Sequence, residues 1–325
     1  MITGGGGFVG RVLVRSLYND HDVCVVDTML MGLERFNASE FALFRLEQVD
    51  ICERPRVQAI IADFRPEVMI HLAAIHYIPL CEQEPGAAIQ TNVVGTANLL
   101  AACPRECRFV FASSGAVYSP SDDPHEEQHS AIGPRDVYGF SKLHGEQFVR
   151  YFSETAHLPA AIVRLFNVVG PGETNPHLLP EIVAQMKAGH SSVKLGNLWP
   201  KRDYIHVRDA AAGFAAVALK GVVEPGQTVT VNLGTSRQFS VEEIIDRLRR
   251  LSGQPFTVER DPGRVRAVDR PYLGAAIGEI ARRFGWTPQH DIDSAVADIW
   301  SDPDFSAELR RKYSLPPQAA QVRRI

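Results

Sequence analysis

Tyr138 and Lys142 stand at positions i and i+4 of the run Tyr138-Gly139-Phe140-Ser141-Lys142. On a helix that spacing puts both side chains on one face. An ammonium beside a phenol favours the phenolate and draws its pKa down from about 10. Tyr138 is therefore a candidate general base, with Lys142 as the group that tunes it. Ser113-Ser114 follows the apolar run Phe109-Val110-Phe111-Ala112, and Ser114 is a candidate to position a substrate hydroxyl. Near the start, Thr3-Gly4-Gly5-Gly6-Gly7-Phe8-Val9-Gly10 carries Gly4, Gly7 and Gly10 at three-residue spacing. Residues without a Cβ let the backbone turn tightly against a pyrophosphate, which the following helix N-terminus attracts. A tuned phenol beside a nucleotide site is equipment for redox chemistry on a carbinol.

Asp27 closes the run Val23-Cys24-Val25-Val26, where a carboxylate can accept from both hydroxyls of an adenosine ribose. The same charge repels a 2′-phosphate, and Thr28 and Met29 provide no arginine clamp, which favours NAD over NADP. Asp50-Ile51 is placed to hold an adenine edge, with an ordinary acidic loop as the alternative. His76-Tyr77, just past a strand end, is a candidate substrate contact. His71, His144, His157 and His206 lack metal-ligand spacing and read as hydrogen-bonded structural residues, so no metal is expected. Lys201-Arg202-Asp203 and Arg264-Val265-Arg266 are basic spots whose guanidinium forks suit phosphate, although a solvated surface is the commoner fate.

These groups need a scaffold, and the first half of the chain supplies a pattern for one. Apolar runs at 23–27, 68–72, 109–112 and 160–165 alternate with amphipathic stretches at 9–18, 57–63, 87–103 and 137–156. Continuous apolar runs between helices predict an α/β, doubly wound (Rossmann) parallel sheet covered on both faces, with a smaller C-terminal substrate-binding lobe. The expected division is 1–166 for the nucleotide-binding domain and 167–325 mainly for the second lobe, with segments near 203–235 returning to the first. A helix is expected over 207–219, a strand over 228–233, and another helix capped by Ser240 with Glu243 as a capping box. The tail after Leu315 reads as frayed. A central first strand normally carries several apolar residues before its glycines, whereas here Met1 and Ile2 alone precede Thr3; either the strand is truncated or the start is misassigned, which would weaken the sheet edge nearest the cofactor.

The bulk numbers exclude several classes. The 325 residues carry 45% apolar and 22% charged side chains, with 34 Lys plus Arg against 38 Asp plus Glu for a net −4. That balance gives no reason to expect nucleic acid or an anionic membrane as partner. The five cysteines are scattered, without zinc spacing or a disulfide framework. With no long apolar span and no signal-like start, a reducing cytoplasm is the expected setting.

From about residue 2 to 288 the chain resembles the extended short-chain dehydrogenase/reductase family of nucleotide-sugar epimerases and dehydratases. The resemblance rests on the glycine run, His71-Leu72-Ala73-Ala74, Asn92-Val93-Val94-Gly95-Thr96, Tyr138 to Lys142, Arg164-Leu165-Phe166-Asn167-Val168, Arg202-Asp203-Tyr204-Ile205-His206-Val207, and Arg266 with Asp269. It implies that Phe8, Val9, Leu72, Ala73, Ala74, Asn92, Ser113, Tyr138 and Lys142 border or support NAD. It implies that Asn167, Arg202, Arg266 and Asp269 meet the phosphates and ribose of a sugar nucleotide, and that His177, Leu178, Leu195 and Asn197 border its base. Family dehydratases usually carry an acidic pair after the Ser114 position, where this chain has Gly115-Ala116. The resemblance therefore implies an NAD-dependent 4-epimerase of a UDP-hexose or UDP-hexuronate working through a 4-keto intermediate. A 4-ketoreductase or 4,6-dehydratase is the alternative, and a non-catalytic NAD sensor a remote one. Ser119, Ala275 and the segment from His76 to Cys81 depart from the usual family residues. The resemblance also implies a homodimer joined through 87–103 and 137–156.

Overall fold

A computed structural model describes residues 1–30, 35–173, 175–264, 271–301, 305 and 307–315. The strands, in chain order, begin with β1 (Ile2–Thr3), β2 (Cys24–Asp27), β3 (Arg45–Gln48), β4 (Val68–His71), β5 (Arg108–Ser114) and β6 (Ala160–Leu165). Then β7 (Asn167–Val169), β8 (Ser192–Leu195) and β9 (Lys201–His206) leave this group before β10 (Thr228–Leu233) rejoins it. The main sheet is parallel with order β10-β6-β5-β4-β1-β2-β3, the doubly wound arrangement. Strands β11 (Gln238–Ser240) and β13 (Tyr272–Leu273) flank β9, which also pairs with β7, while β12 (Thr257–Arg260) pairs with β8.

The apolar runs form buried strands because helices cover both sheet faces. The helices are α1 (Phe8–Leu17), α2 (Arg54–Phe64), α3 (Ile78–Gln83), α4 (Pro85–Ile89), α5 (Thr96–Ala102), α6 (Val137–Ala156), α7 (Leu178–Lys187) and α8 (Val207–Leu219). After them come α9 (Val241–Ser252), α10 (Gly278–Phe284), α11 (Ile292–Ser301) and α12 (Ala307–Tyr313). Successive strand residues point to opposite faces, so Val25, Ile70, Val110 and Val163 pack with Leu13 and Phe214 on one side. Cys24, Met69, Phe109 and Ile162 pack with Ile61, Leu99 and Val149 on the other. A third core, with Leu179, Ile182, Val193 and Ile244, belongs to the second lobe. There Ser240 and Glu243 form the expected capping box on α9.

The short β1 takes the central place expected of the first strand: Ile2 pairs with both Val25 and Ile70, and the Met1 ammonium donates to Val68 O at 2.8 Å. Two other features depart from the sequence pattern. Strand β3 had no apolar run to announce it, since Arg45–Gln48 is a half-exposed edge whose Arg45 pairs with Asp63 at 2.6 Å. The stretch 87–103 is not one regular helix, because a π-helical turn, Gln90–Gly95, separates α4 from α5. Apolar periodicity does not distinguish such a turn from an α-helix.

Candidate active site

Helix α6 delivers Tyr138 from its first turn. Asp136 caps that helix, its Oδ1 accepting from Gly139 N at 2.7 Å. Ser114 ends β5, and its Oγ accepts from Ala116 N at 3.1 Å to start the turn Gly115–Val117. Ser114 and Tyr138 both line the cavity wall. One turn further along α6, Lys142 is 3% exposed and donates to Ala112 O at 2.8 Å. Its ammonium lies 5.9 Å from the Tyr138 ring centre and 5.0 Å from that of Phe111.

The shared face is as expected, but the expected pKa direction is not. Burial pushes the Tyr138 phenol above its ordinary value, with Ser114 acting the other way and Cys81 and Asp136 adding to the rise. Burial pulls Lys142 down to about 7. Desolvation thus dominates at both groups, and the Lys142 ammonium donates to a backbone carbonyl.

The glycine run turns into α1 at the edge of the same cavity. Gly4 has φ +73°, and a Cβ there would stand 2.5 Å from Ala73 N; a Cβ on Gly10 would stand 2.1 Å from Gly4 O. The N-cap Gly7 brings no side-chain acceptor to the first turn of α1, which also holds no acidic residue. That leaves its N–H groups for an anion. Asp27 accepts from Gly6 N at 2.9 Å and Met29 N at 2.7 Å, fixing the loop from the end of β2.

His71 is the structural residue expected. Thr96 Oγ1 donates to Asn92 O at 2.7 Å, so it accepts from His71 Nε2 at 2.8 Å; His71 Nδ1 then accepts from Thr3 Oγ1 at 2.7 Å. The chain of bonds fixes the tautomer and ties β1, β4 and α5 together. Asn92, placed by the π turn, is buried and absent from the cavity wall. Its side chain exchanges bonds with Ile75 N and O at 2.8 and 2.9 Å and donates to Ser141 Oγ at 2.9 Å. It supports the site from behind and does not face a cofactor. Ser113 reaches the wall, but its hydroxyl donates to Glu146 at 2.6 Å.

A cavity of about 1280 Å³ unites most of the expected residues. Its wall includes Gly4, Gly7, Phe8, Val9, Gly10, Asp27, Asp50, Ile51, Leu72, Ala73 and Ala74 at one end. His76, Asn167, His177, Leu178, Leu195, Asn197 and Arg202 line the other, with Ser114, Tyr138 and Lys142 also on the wall. Arg266 and Asp269 lie outside the described residues. Sequence reasoning missed Glu173, which pairs with His177, Asn175, which bonds His76 Nε2 at 3.0 Å, and Glu82, Arg135 and Lys312 on the wall. Glu173 and Asn175 lie in the stretch after Asn167, where the cluster of Gly, Pro and polar residues was the available signal. Glu82 and Lys312 carried none, because distant folding brings them in. Behind the wall, Asp203 accepts from Thr235 N and Oγ1 at 2.8 and 2.7 Å and from Ser236 N at 2.9 Å, and burial pushes its pKa up to about 6. Among the described residues, no cluster of three or more His, Cys, Asp or Glu could hold a metal ion, and no helix is long and apolar enough to cross a membrane.

The profile of the NAD dependent epimerase/dehydratase family matches residues 1–234. A UDP-glucose 4-epimerase of Corynebacterium glutamicum is 28% identical, covering 93% of this chain and 94% of that protein. A dTDP-glucose 4,6-dehydratase of Neisseria meningitidis is 30% identical, covering 91% and 90%. Among solved structures, a UDP-glucuronic acid 4-epimerase from Bacillus cereus, in complex with UDP-glucuronic acid and NAD, superposes with a TM-score of 0.83 at 22% identity, covering 92% of this chain and 97% of that one. A UDP-glucose 4-epimerase from Brucella ovis in complex with NAD gives 0.81 at 26% identity, covering 93% and 97%.

Proposed function

The chain belongs to the NAD-dependent epimerase/dehydratase family, and on that premise we propose that it interconverts the C4 epimers of a UDP-hexose or UDP-hexuronate through a transient 4-keto sugar. One observation carries the choice within the family: Ser114 and Tyr138 line the same cavity, while Gly115 and Ala116, not carboxylates, follow Ser114. That equipment oxidises and reduces one carbon, and Gly115 and Ala116 cannot take the C5 proton that a 4,6-dehydration requires.

The glycine turn fits a dinucleotide, since Cβ atoms at Gly4 and Gly10 would collide with the loop that forms the cradle. Gly4, Gly7, Phe8, Val9 and Gly10 would hold the pyrophosphate, Asp27 the adenosine ribose, Asp50 and Ile51 the adenine, and Leu72 to Ala74 with Lys142 the nicotinamide end. NAD bound there supplies the hydride acceptor and donor. Ser114 Oγ and Tyr138 Oη bracket the sugar 4-hydroxyl. Tyr138 Oη takes that proton as C4 is oxidised and returns it when the ketone is reduced on its opposite face. Asn167 and Arg202, with Arg266 and Asp269, anchor the diphosphate and ribose while the sugar turns over. His76 meets the sugar, and His177, Leu178, Leu195 and Asn197 border the base. Residues 1–166 serve the cofactor and 167–325 mainly the sugar nucleotide, with segments near 203–235 returning to the cofactor side.

The test is incubation with UDP-, dTDP-, GDP- and CDP-sugars without added cofactor, resolving C4 epimers by NMR. Epimerised UDP-sugar is expected. A 4-keto-6-deoxy product, or stoichiometric NAD(P)H consumption, would overturn the reading in favour of a dehydratase or reductase.

Two further assignments belong to this reading. Phe140, Phe148 and Tyr151 stand exposed on α6, Tyr151 at 59%, beside exposed Ile89 and Val94. We assign this apolar face to a homodimer, and monomers alone at micromolar concentration in sedimentation would refute it. All five cysteines are free, which supports a reducing cytoplasm.

A further inference from the structure

The sugar end of the cavity is walled by the segment 75–83, which leaves β4 and crosses the first turn of α6. Two of its ties reach the start of α6 and the residues beneath it. At the inner end, Asn92, 1% exposed, grips both backbone groups of Ile75 and donates to Ser141 Oγ, whose hydroxyl donates to Tyr138 O at 2.8 Å. At the outer end, exposed Glu82 accepts from Val137 N at 2.8 Å, 55 residues away in sequence. Val137 opens α6, so its N–H has no acceptor inside the helix. Asp136 serves Gly139, so two carboxylates take donors on either side of Tyr138. Asp136 caps its own helix whatever the wall does, whereas Glu82 joins wall to helix. Between the ties, Ile78, Pro79 and Leu80 face the cavity.

We propose that Glu82 is a positioning residue: a latch that holds the 76–82 wall against the turn carrying Tyr138, with Asn92 as the hinge. The hinge is buried and satisfied on every side. The latch is wet, so water competes for it, and the wall can loosen at that end to admit a diphosphate sugar and close behind it. The carboxylate also sits favourably at the positive end of α6. This inference rests on the epimerase reading, because the group being positioned is the phenol that moves the proton.

The test compares E82A and E82Q with the unsubstituted protein on the UDP-sugar it epimerises, alongside melting temperature, bound NAD, and amide exchange of peptides covering 76–83 and 137–141. For E82A, kcat is expected to fall about tenfold with bound NAD unchanged, since small displacements of a reacting group are costly. Exchange should quicken in both peptides. E82Q keeps an acceptor oxygen and should recover most of the rate and most of the protection. Asp136 remains in each variant, so α6 keeps its own cap. Unchanged kcat in E82A, unchanged exchange, or an E82Q as slow as E82A would each overturn the latch. If the unsubstituted protein turns over no UDP-sugar, the epimerase reading fails, while the exchange data still decide whether Glu82 ties the wall to α6.

Discussion

Glu146 and Arg164 form a two-armed ion pair directly behind Ser113: Arg164 Nε and Nη2 each lie 2.8 Å from a carboxylate oxygen. Arg164 is 3% exposed, and its guanidinium also stands 4.7 Å over the Tyr118 ring. Burial works against the Glu146 carboxylate, yet Arg164, with Ser113 and Arg150, holds it below the usual carboxylate range. The pair joins β6 to α6, so it fixes the helix that carries Tyr138 to the sheet that carries Ser114.

Removing one partner strands a buried charge. E146A should lower stability by about 3–5 kcal/mol, read as a shift in the urea midpoint. The double substitution E146M/R164M should recover much of that loss, because neither charge remains. A double variant no more stable than E146A would show that the pair's geometry, not the uncompensated charge, matters.

Y138F removes the hydroxyl to which the proposed mechanism assigns the proton transfer. It should slow epimerisation by about two to four orders of magnitude while leaving bound NAD unchanged. Product NMR and release of the nucleotide on denaturation check the two halves separately. Full activity would rule out Tyr138 as the proton carrier.

Acid should weaken the fold through its buried histidines. Burial holds His71 well below 6.5, and burial with the neighbouring His290 pulls His206 down to about 4. In the unfolded chain both take up protons near the ordinary value, so unfolded protein binds more protons as pH falls below it. Their contribution is fully present above about 6.5 and is lost as pH drops toward 4. Melting temperatures across that window should fall steeply. H206N, which keeps an acceptor for the Arg208 N–H that His206 now caps at 3.1 Å, should flatten the slope.

Arg108 closes the C-terminal end of α8. Its Nη1 donates to Val217 O, Ala218 O and Lys220 O at 3.2, 3.1 and 2.8 Å, and Nη2 to Gly221 O at 3.0 Å. R108A should cost about 1–3 kcal/mol in denaturant unfolding and leave the KM for sugar nucleotide unchanged. A raised KM with unaltered stability would contradict this structural role.

The sequence by itself determined the sheet and the candidates for the reacting groups. Apolar runs such as 160–165 can be buried on both faces in a parallel sheet, and the glycine spacing, Asp27 and the i, i+4 pair are local patterns that survive without coordinates. Tertiary structure decided what depends on distant neighbours. It paired the two-residue β1 on both sides, which compensates for its shortness. It inserted the π turn that places Asn92, recruited Glu82 and Glu173 to the wall, and drew the half-exposed β3 onto an edge. It also reversed the expected shift of Tyr138. The spacing fixes which groups share a helix face, but burial and the choice of hydrogen-bond partner set their charge, and both come from chain segments far away in sequence.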